Sequence, residues 1–235
     1  MNIAMSKTYL ITGDRKGIGR SLTEYYLSQG NTVIGCSRSG TDYHHENYSH
    51  IVCDVGDEQS VKQLVSFVRK NFGSIDVLIN NAGMASMNHL LTTPVSTFEN
   101  LVNTNLKGTF LFTREAGKIM RKKGGNIVNF STVASPLNLE GEAIYASTKC
   151  AIEKLTKISA KELSSFNIRV NCLGPTPVYT DLIKVVPKNK IDELLSQQPI
   201  KRMGTFDDIR NVIDFYCSDN SNFITGQIIY LGGVS

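Results

Sequence analysis

The sequence predicts an α/β fold: a single domain over residues 1–235, built as one doubly wound parallel sheet of about seven strands with helices on both faces. Three observations predict it. Short apolar stretches of strand character alternate with amphipathic helical stretches along the whole chain, and such alternation requires right-handed crossovers between parallel strands. A glycine-rich turn, TGDRKGIG at Thr12–Gly19, joins the first strand to the first helix. With 235 residues, 41% apolar and 20% charged, the chain can bury a large core and is too apolar for extensive disorder.

Thr8–Thr12 reads as the first strand and Ile18–Gln29 as the first helix, with Ile18, Leu22 and Tyr25 or Tyr26 at helical spacing and Gly30 as the stop. Between them Gly13, Gly17 and Gly19 lack a Cβ, so the backbone can turn sharply, approach a ligand and let the helix pack close to the strand. Unpaired N–H groups in the helix's first turn, with the positive end of its dipole, make an anion site suited to a pyrophosphate. The spacing G-x-x-x-G-x-G is one residue wider at its start than the common dinucleotide fingerprint. Thr32–Ser37 is a second buried strand, and its end, about twenty residues past the turn, is where a dinucleotide fold meets the adenosine ribose. An acid there would bind the 2′-hydroxyl. This chain instead has Ser37 and Arg38, a hydroxyl and a guanidinium that suit a 2′-phosphate, with Lys16 as a second cation.

His50–Cys53 forms a short third strand ending at Asp54, and Asp57 caps a helix carrying Val61, Leu64, Val65, Val68 and Phe72 on one face before Gly73. Val77–Ile79 is a fourth strand, closed by Asn80-Asn81-Ala82-Gly83. Thr97 caps a long helix to about Lys122 with Phe98, Leu101, Val102, Leu106 and Phe110, and the strand Asn126–Phe130 follows. A second long helix, Tyr145–Ser165, is expected to bury Ile152, Leu155 and Ile158 ahead of the strand Ile168–Leu173. After Pro175 the regularity lapses: 181–203, with a short helix at Asn189–Gln198, is placed to cover a ligand crevice as a lid. The helix Asp207–Cys217 and the strand Gln227–Leu231 complete the sheet.

Composition narrows the function. A net charge of +4, without a basic helix or basic–aromatic alternation, argues against nucleic acid as a partner. No apolar run is long enough for a bilayer and Met1–Lys7 is too polar and short for a signal peptide, so no membrane contact and a cytoplasmic location are expected. The five cysteines (Cys36, Cys53, Cys150, Cys172, Cys217) show no C-x-x-C pair and read as reduced core thiols. His44 and His45 lie in a polar stretch without further ligands at metal spacing, and no metal is expected.

Tyr145 and Lys149 stand four apart in YASTK, which on a helix puts both on one face with Cβ atoms about 6 Å apart. A phenol titrates near pH ~10, and a fixed ammonium beside it moves that value down, making Tyr145 a candidate general acid/base. The set TGDRKGIG, NNAG, VNTNLKG around Asn105, Ser131-Thr132, YASTK, the Pro175–Thr180 segment and a terminal TGQ…GG, in that order and over essentially the whole chain, resembles the short-chain dehydrogenases/reductases, in particular the short branch that includes the 3-oxoacyl-acyl-carrier-protein reductases.

That resemblance implies a Rossmann-type enzyme transferring hydride between NADP(H) and a carbonyl or secondary alcohol. Tyr145 would exchange the proton, Lys149 would bind the nicotinamide ribose and lower the tyrosine's pKa, and Asn105 would hold a water leading from Lys149 to solvent. The cofactor would rest on Gly13, Arg15, Lys16, Gly17, Ile18 and Gly19, with Ser37 and Arg38 at the ribose, Asp54 and Val55 at the adenine, and Asn81, Ala82 and Gly83 along the cleft. Tyr145, Lys149, Pro175, Val178 and Thr180 would surround the nicotinamide. Two positions depart from the family pattern. Thr132 stands where the catalytic serine is usual, with Ser131 beside it, and strand alternation sends only one of the two toward substrate, expected to be Thr132. Thr176 replaces the usual glycine after Pro175 and could reshape the lid.

The substrate is expected to be a small carbonyl or alcohol. Five basic residues between Lys184 and Arg202 hint at an acidic or carrier-linked one. The resemblance further suggests a homo-oligomer, tetramer or dimer, packed through the two long helices and the last strand. The competing reading is a catalytically silent NADP-binding sensor or scaffold. A nucleotide-sugar epimerase is disfavoured because no substantial C-terminal domain is available to bind the sugar.

Overall fold

The computed structural model describes residues 6–181, 183–184 and 186–235; Met1–Met5, within the segment Met1–Lys7, and Leu182 and Val185 of the expected lid lie outside the described residues. Seven strands pair in parallel: β1 (Thr8–Thr12), β2 (Thr32–Ser37), β3 (Tyr48–Val52), β4 (Val77–Asn80), β5 (Gly125–Phe130), β6 (Ile168–Gly174) and β7 (Ile228–Tyr230). Their order is β3-β2-β1-β4-β5-β6-β7. The chain therefore winds outward from β1 to β3, returns, and winds the other way from β4 to β7. At this reversal the loops leaving β1 and β4 diverge and open a crevice beyond the carboxyl ends of the strands.

Strand alternation divides the core in two. Leu10, Ile34, Leu78, Ile127 and Val170 face one side, where Val61, Leu64, Val65 and Val68 of α2 (Glu58–Phe72) cover them. Ile11, Val33, Ile79, Val128 and Leu173 face the other, against Leu22 and Tyr26 of α1 (Gly17–Ser28) and Ile209 and Ile213 of the last long helix, Phe206–Cys217. Burial on both faces explains why these strands read as continuous apolar runs.

The structure corrects several boundaries. β3 starts at Tyr48 because its ladder with β2 opens at Val33↔Tyr48, where the Tyr48 ring also packs edge-on against Tyr43 with centroids 5.4 Å apart. The first long helix starts at Val95, behind Pro94 with its φ of −65°, so Thr97 lies inside the first turn rather than capping it. It runs as α3 (Val95–Leu101), a π-helical turn at Val102–Lys107 and α4 (Gly108–Met120). After the short α5 (Ala134–Leu137), the second long helix, α6, spans Ala143–Leu163. It buries Ile152, Thr156, Ser159 and Ala160, whereas Leu155 is half-buried and Ile158 is 46% exposed. Phe98 and Phe110 are likewise exposed, so both long helices keep apolar side chains on their outer faces. In the lid, α7 covers Lys188–Gln197; α8 (Phe206–Cys217) opens with a capping box between Thr205 and Asp208. All five cysteines are free; four are buried, but Cys150 lies exposed on α6 and is not a core thiol. Among the described residues, no helix is long and apolar enough to cross a membrane.

Candidate active site

The glycine turn forms the floor of the crevice. Gly13 has φ +70° and Gly17 φ +54°, conformations that favour glycine, and a Cβ on Gly13 would fall 2.9 Å from the Ala82 Cα. A Cβ on Gly19 would collide with the Gly13 carbonyl; Gly19 serves the packing of α1 on the turn and does not line the cleft. The Asn81 side-chain amide donates to the carbonyls of Thr12 at 2.9 Å and Gly13 at 3.1 Å, and the Ala82 N–H donates to Thr12 Oγ1 at 2.9 Å. These bonds lock the loop after β4 to the turn after β1.

The resulting cleft has a volume of about 430 Å³. Arg15, Lys16, Gly17 and Ile18 form its α1 wall, Ser37, Arg38, Asp54 and Val55 close it on the β2–β3 side, and Tyr145, Lys149, Pro175 and Thr180 close it on the β5–β6 side, with Asn81, Ala82 and Gly83 between. Cys36, Ser39, Cys53, Met84, Thr104, Phe130, Ser131 and Asp181 also line it; no local pattern separates them from ordinary core, helix and loop residues. Val178, expected here as well, is buried, bridges to Gly204 and lines an adjoining pocket that shares Tyr145, Pro175 and Thr180 with the cleft.

Electrostatics match an anionic ligand. Lys16, at the N-cap of α1, makes no side-chain cap, and the first turn carries no acidic residue, so no side chain neutralises the helix N-terminus. Arg38 is exposed at the end of β2 and makes no ion pair among the described residues. Lys16 does make one: its ammonium lies 3.5 Å from the Asp181 carboxylate, tying the turn to the lid across the cleft mouth. A dinucleotide with an added phosphate fits this lining.

Tyr145 sits where the cleft meets a second pocket of about 150 Å³, whose walls include Thr132, Val133, Leu139, Val178 and Leu194. Thr132 lines that second pocket beside Tyr145, its hydroxyl accepting from the Ala134 N–H at 3.2 Å, whereas Ser131 lines the cleft and donates its hydroxyl to Glu153 Oε1, 3.3 Å from the Ser135 hydroxyl. Lys149 is buried and donates to the Phe130 carbonyl at 2.9 Å, with its nitrogen 5.9 Å from the centre of the Tyr145 ring. Burial pushes the Lys149 ammonium down to about 8. The Tyr145 phenol is pushed up to about 12, by burial first and by the Glu142 charge second, against a lowering contribution from Thr132. This corrects the expectation that Lys149 lowers it, because the ammonium is held by a carbonyl and burial dominates.

Asn105 lies on the π-helical turn and is fully buried. Its amide oxygen accepts from the Met84 N–H at 2.9 Å, and its nitrogen donates to the Met84 carbonyl at 3.0 Å and to Thr148 Oγ1 at 3.1 Å. Thr148 in turn donates to the Tyr145 carbonyl at 2.7 Å. The Thr176 hydroxyl donates to Gln198, a fully buried side chain whose amide nitrogen bonds the carbonyls of Ile200 and Arg202, both at 3.2 Å. Its polar end is thus committed to fastening the lid.

Comparison with known proteins agrees with this geometry. A family model described as enoyl-(acyl carrier protein) reductase matches residues 13–234. The 3-oxoacyl-[acyl-carrier-protein] reductase of Staphylococcus epidermidis is 32% identical over 241 residues, covering 97% of this chain and 98% of the relative. Among solved structures, ElxO with NADP bound superposes with a TM-score of 0.89 at 33% identity, covering 97% of this chain and 98% of that one. The ligand-free aldohexose dehydrogenase of Thermoplasma acidophilum gives a TM-score of 0.87 at 28% identity, covering 97% and 94%. The full-length match, the doubly wound sheet and the glycine-floored cleft together place the chain in the short-chain dehydrogenase/reductase family of nicotinamide-dependent oxidoreductases.

Proposed function

We propose that the protein interconverts a carbonyl compound and a secondary alcohol with NADP(H), Tyr145 acting as the proton donor in reduction and the acceptor in oxidation. The observation that carries this reading is that Tyr145 lines both the cofactor-sized cleft and the smaller pocket, which Thr132 also lines. Bound in the cleft, the nicotinamide would supply or accept the hydride. The Tyr145 phenol stays protonated at neutral pH and can deliver its proton to the substrate oxygen. The Thr132 hydroxyl orients that oxygen. Lys149, with a pKa brought near neutrality by burial, can return a proton to the phenol, and Asn105 holds the Tyr145 backbone in place through Thr148.

NADP(H) over NAD(H) rests on Arg38, which makes no ion pair among the described residues, and on Ser37 in place of an acid, and is supported by the NADP bound to the 33%-identical ElxO. The substrate is a small-molecule carbonyl or alcohol; the named activity of the staphylococcal relative makes a carrier-linked 3-oxoacyl thioester a candidate. Cytoplasmic location belongs to the same reading. The deciding experiment follows NADPH oxidation with a panel of ketones and 3-oxoacyl thioesters; binding of NADPH without oxidation by any of them would reduce the protein to a sensor or scaffold.

Thr132→Ala should lower kcat by about 100-fold, the scale of losing one donor to a reacting oxygen. Ser131→Ala, which loses only the contacts to Glu153 and Ser135, should leave kcat nearly unchanged; steady-state kinetics showing the reverse order would transfer the role.

We also propose a homo-oligomer, dimer or tetramer, packed through the two long helices, on whose outer faces Phe98, Phe110 and Ile158 are 47%, 42% and 46% exposed. Light scattering on a sizing column should show the assembled species for the native chain and monomers for Phe110→Glu/Ile158→Glu.

A further inference from the structure

The pocket beside Tyr145 is mostly apolar, yet one oxygen of a half-buried carboxyl in its lining has no partner among the described residues. Glu142, three residues before Tyr145 at the start of α6, lines this pocket, and its Oε2 is buried with no hydrogen-bond partner among the described residues. Leaving such an acceptor unpaired costs free energy that a partner would recover. Burial pushes the carboxyl up to about 7, so it is partly protonated at neutral pH and can both donate and accept. The other charged residues lining this pocket are Glu140, Glu193 and Lys190, and the Lys190 ammonium is taken up by Glu193 at 3.0 Å. No free cation is left among these lining residues to attract an acidic group.

We propose that Glu142 is a specificity-determining residue that hydrogen-bonds a hydroxyl or amino group on the substrate close to the reacting carbonyl, so that the preferred substrates are hydroxy- or amino-ketones rather than plain or acidic ones. The proposal rests on the oxidoreductase reading above. A hydrogen-bonding site discriminates strongly against an analogue lacking the partner group, because the buried carboxyl oxygen is then left unpaired beside an apolar surface.

The test uses matched ketones: acetoin against 3-methyl-2-butanone, and 4-hydroxy-2-butanone against 2-pentanone, in each of which a hydroxyl replaces a methyl group. With NADPH, the native enzyme should favour the hydroxylated member of at least one pair by tenfold or more in kcat/KM. Glu142→Leu should bring that ratio close to one, and Glu142→Gln should retain part of it. Independently of turnover, Glu142→Leu should raise Tm by about 2–4 °C, since it removes an unsatisfied buried acceptor. Equal rates for both members of each pair in the native enzyme, an unchanged ratio in Glu142→Leu, or a fall in Tm would overturn the proposal while leaving the oxidoreductase reading intact. Failure to reduce any ketone or 3-oxoacyl thioester while still binding NADPH would overturn both.

A different observation concerns the cofactor's other end. Asp14, inside the glycine turn, is fully buried and reaches across β2, where a Cβ on Gly35 would overlap its carboxylate. Its Oδ2 accepts from the Tyr48 hydroxyl and lies 2.9 Å from His50 Nδ1, while His50 Nε2 lies 3.0 Å from the Ser39 carbonyl. A carbonyl only accepts, so Nε2 donates to Ser39, and Nδ1 also lies 3.3 Å from the Tyr48 hydroxyl. The Ser37 hydroxyl also donates to the Ser39 carbonyl, at 2.7 Å.

We infer that Asp14 and His50 are positioning residues that hold the Ser37–Ser39 backbone so that Arg38 is presented to the 2′-phosphate. His50→Leu should raise KM for NADPH about tenfold with KM for NADH and kcat nearly unchanged, and His50→Gln, which keeps one donor, should recover part of the loss. A purely structural role would lower Tm and disturb both cofactors alike. Equal changes in the two KM values, or none, would overturn the inference.

Discussion

Tyr145→Phe should lower kcat by about 10³-fold in both directions while NADPH binding, followed by its fluorescence, changes little. The substitution removes one oxygen from a ring that otherwise keeps its place between the cleft and the smaller pocket. Preserved binding with lost turnover is the signature of a group that acts on the proton rather than on affinity. The raised pKa adds a direction. With the phenol pushed up to about 12, its proton is in place throughout the neutral range, so reduction should be nearly independent of pH below about 8, where Lys149 also keeps its charge. Alcohol oxidation needs the phenolate and should instead rise steadily with pH. Oxidation that peaked near pH ~6 would show that another group takes the proton.

Arg38→Asp should reverse the cofactor preference. A charge-assisted bond to phosphate contributes about 2 kcal/mol, or roughly 30-fold in affinity, and the new carboxylate would both repel a 2′-phosphate and accept a hydrogen bond from a ribose 2′-hydroxyl. KM for NADPH should rise and KM for NADH fall. Arg38 suits this test because it is exposed and makes no ion pair among the described residues, so its removal disturbs little else. Lys16→Ala should have a smaller effect, since that ammonium is shared with Asp181.

Much of this was legible in the residue pattern. The seven strands, the glycine turn and the Tyr145–Lys149 pair announce themselves through local periodicity, absent Cβ atoms and helical spacing. Other parts were not legible, for identifiable reasons. The π-helical turn at Val102–Lys107 follows from how that helix packs, and no local signal separates it from regular helix. Ile158 and Phe110 read as core from spacing alone, yet they face outward because one helix face can carry more apolar residues than the sheet can cover. Nothing local marks Asp14 in its turn, His50 in its strand or Glu142 ahead of its helix as buried, and their burial shows only once distant segments close over them.

The sequence by itself determined the order of elements, the glycine turn that floors the cleft and the Tyr145–Lys149 pair proposed for proton transfer, because turn chemistry and helical spacing act between residues a few positions apart. Only the tertiary structure decided which pocket each of the two neighbouring hydroxyls lines, that burial pushes the Tyr145 phenol upward, and which carboxyl oxygens are stranded inside. Those outcomes depend on burial and on partners from remote strands, since desolvation and hydrogen bonding are set by whatever the fold brings within a few ångströms.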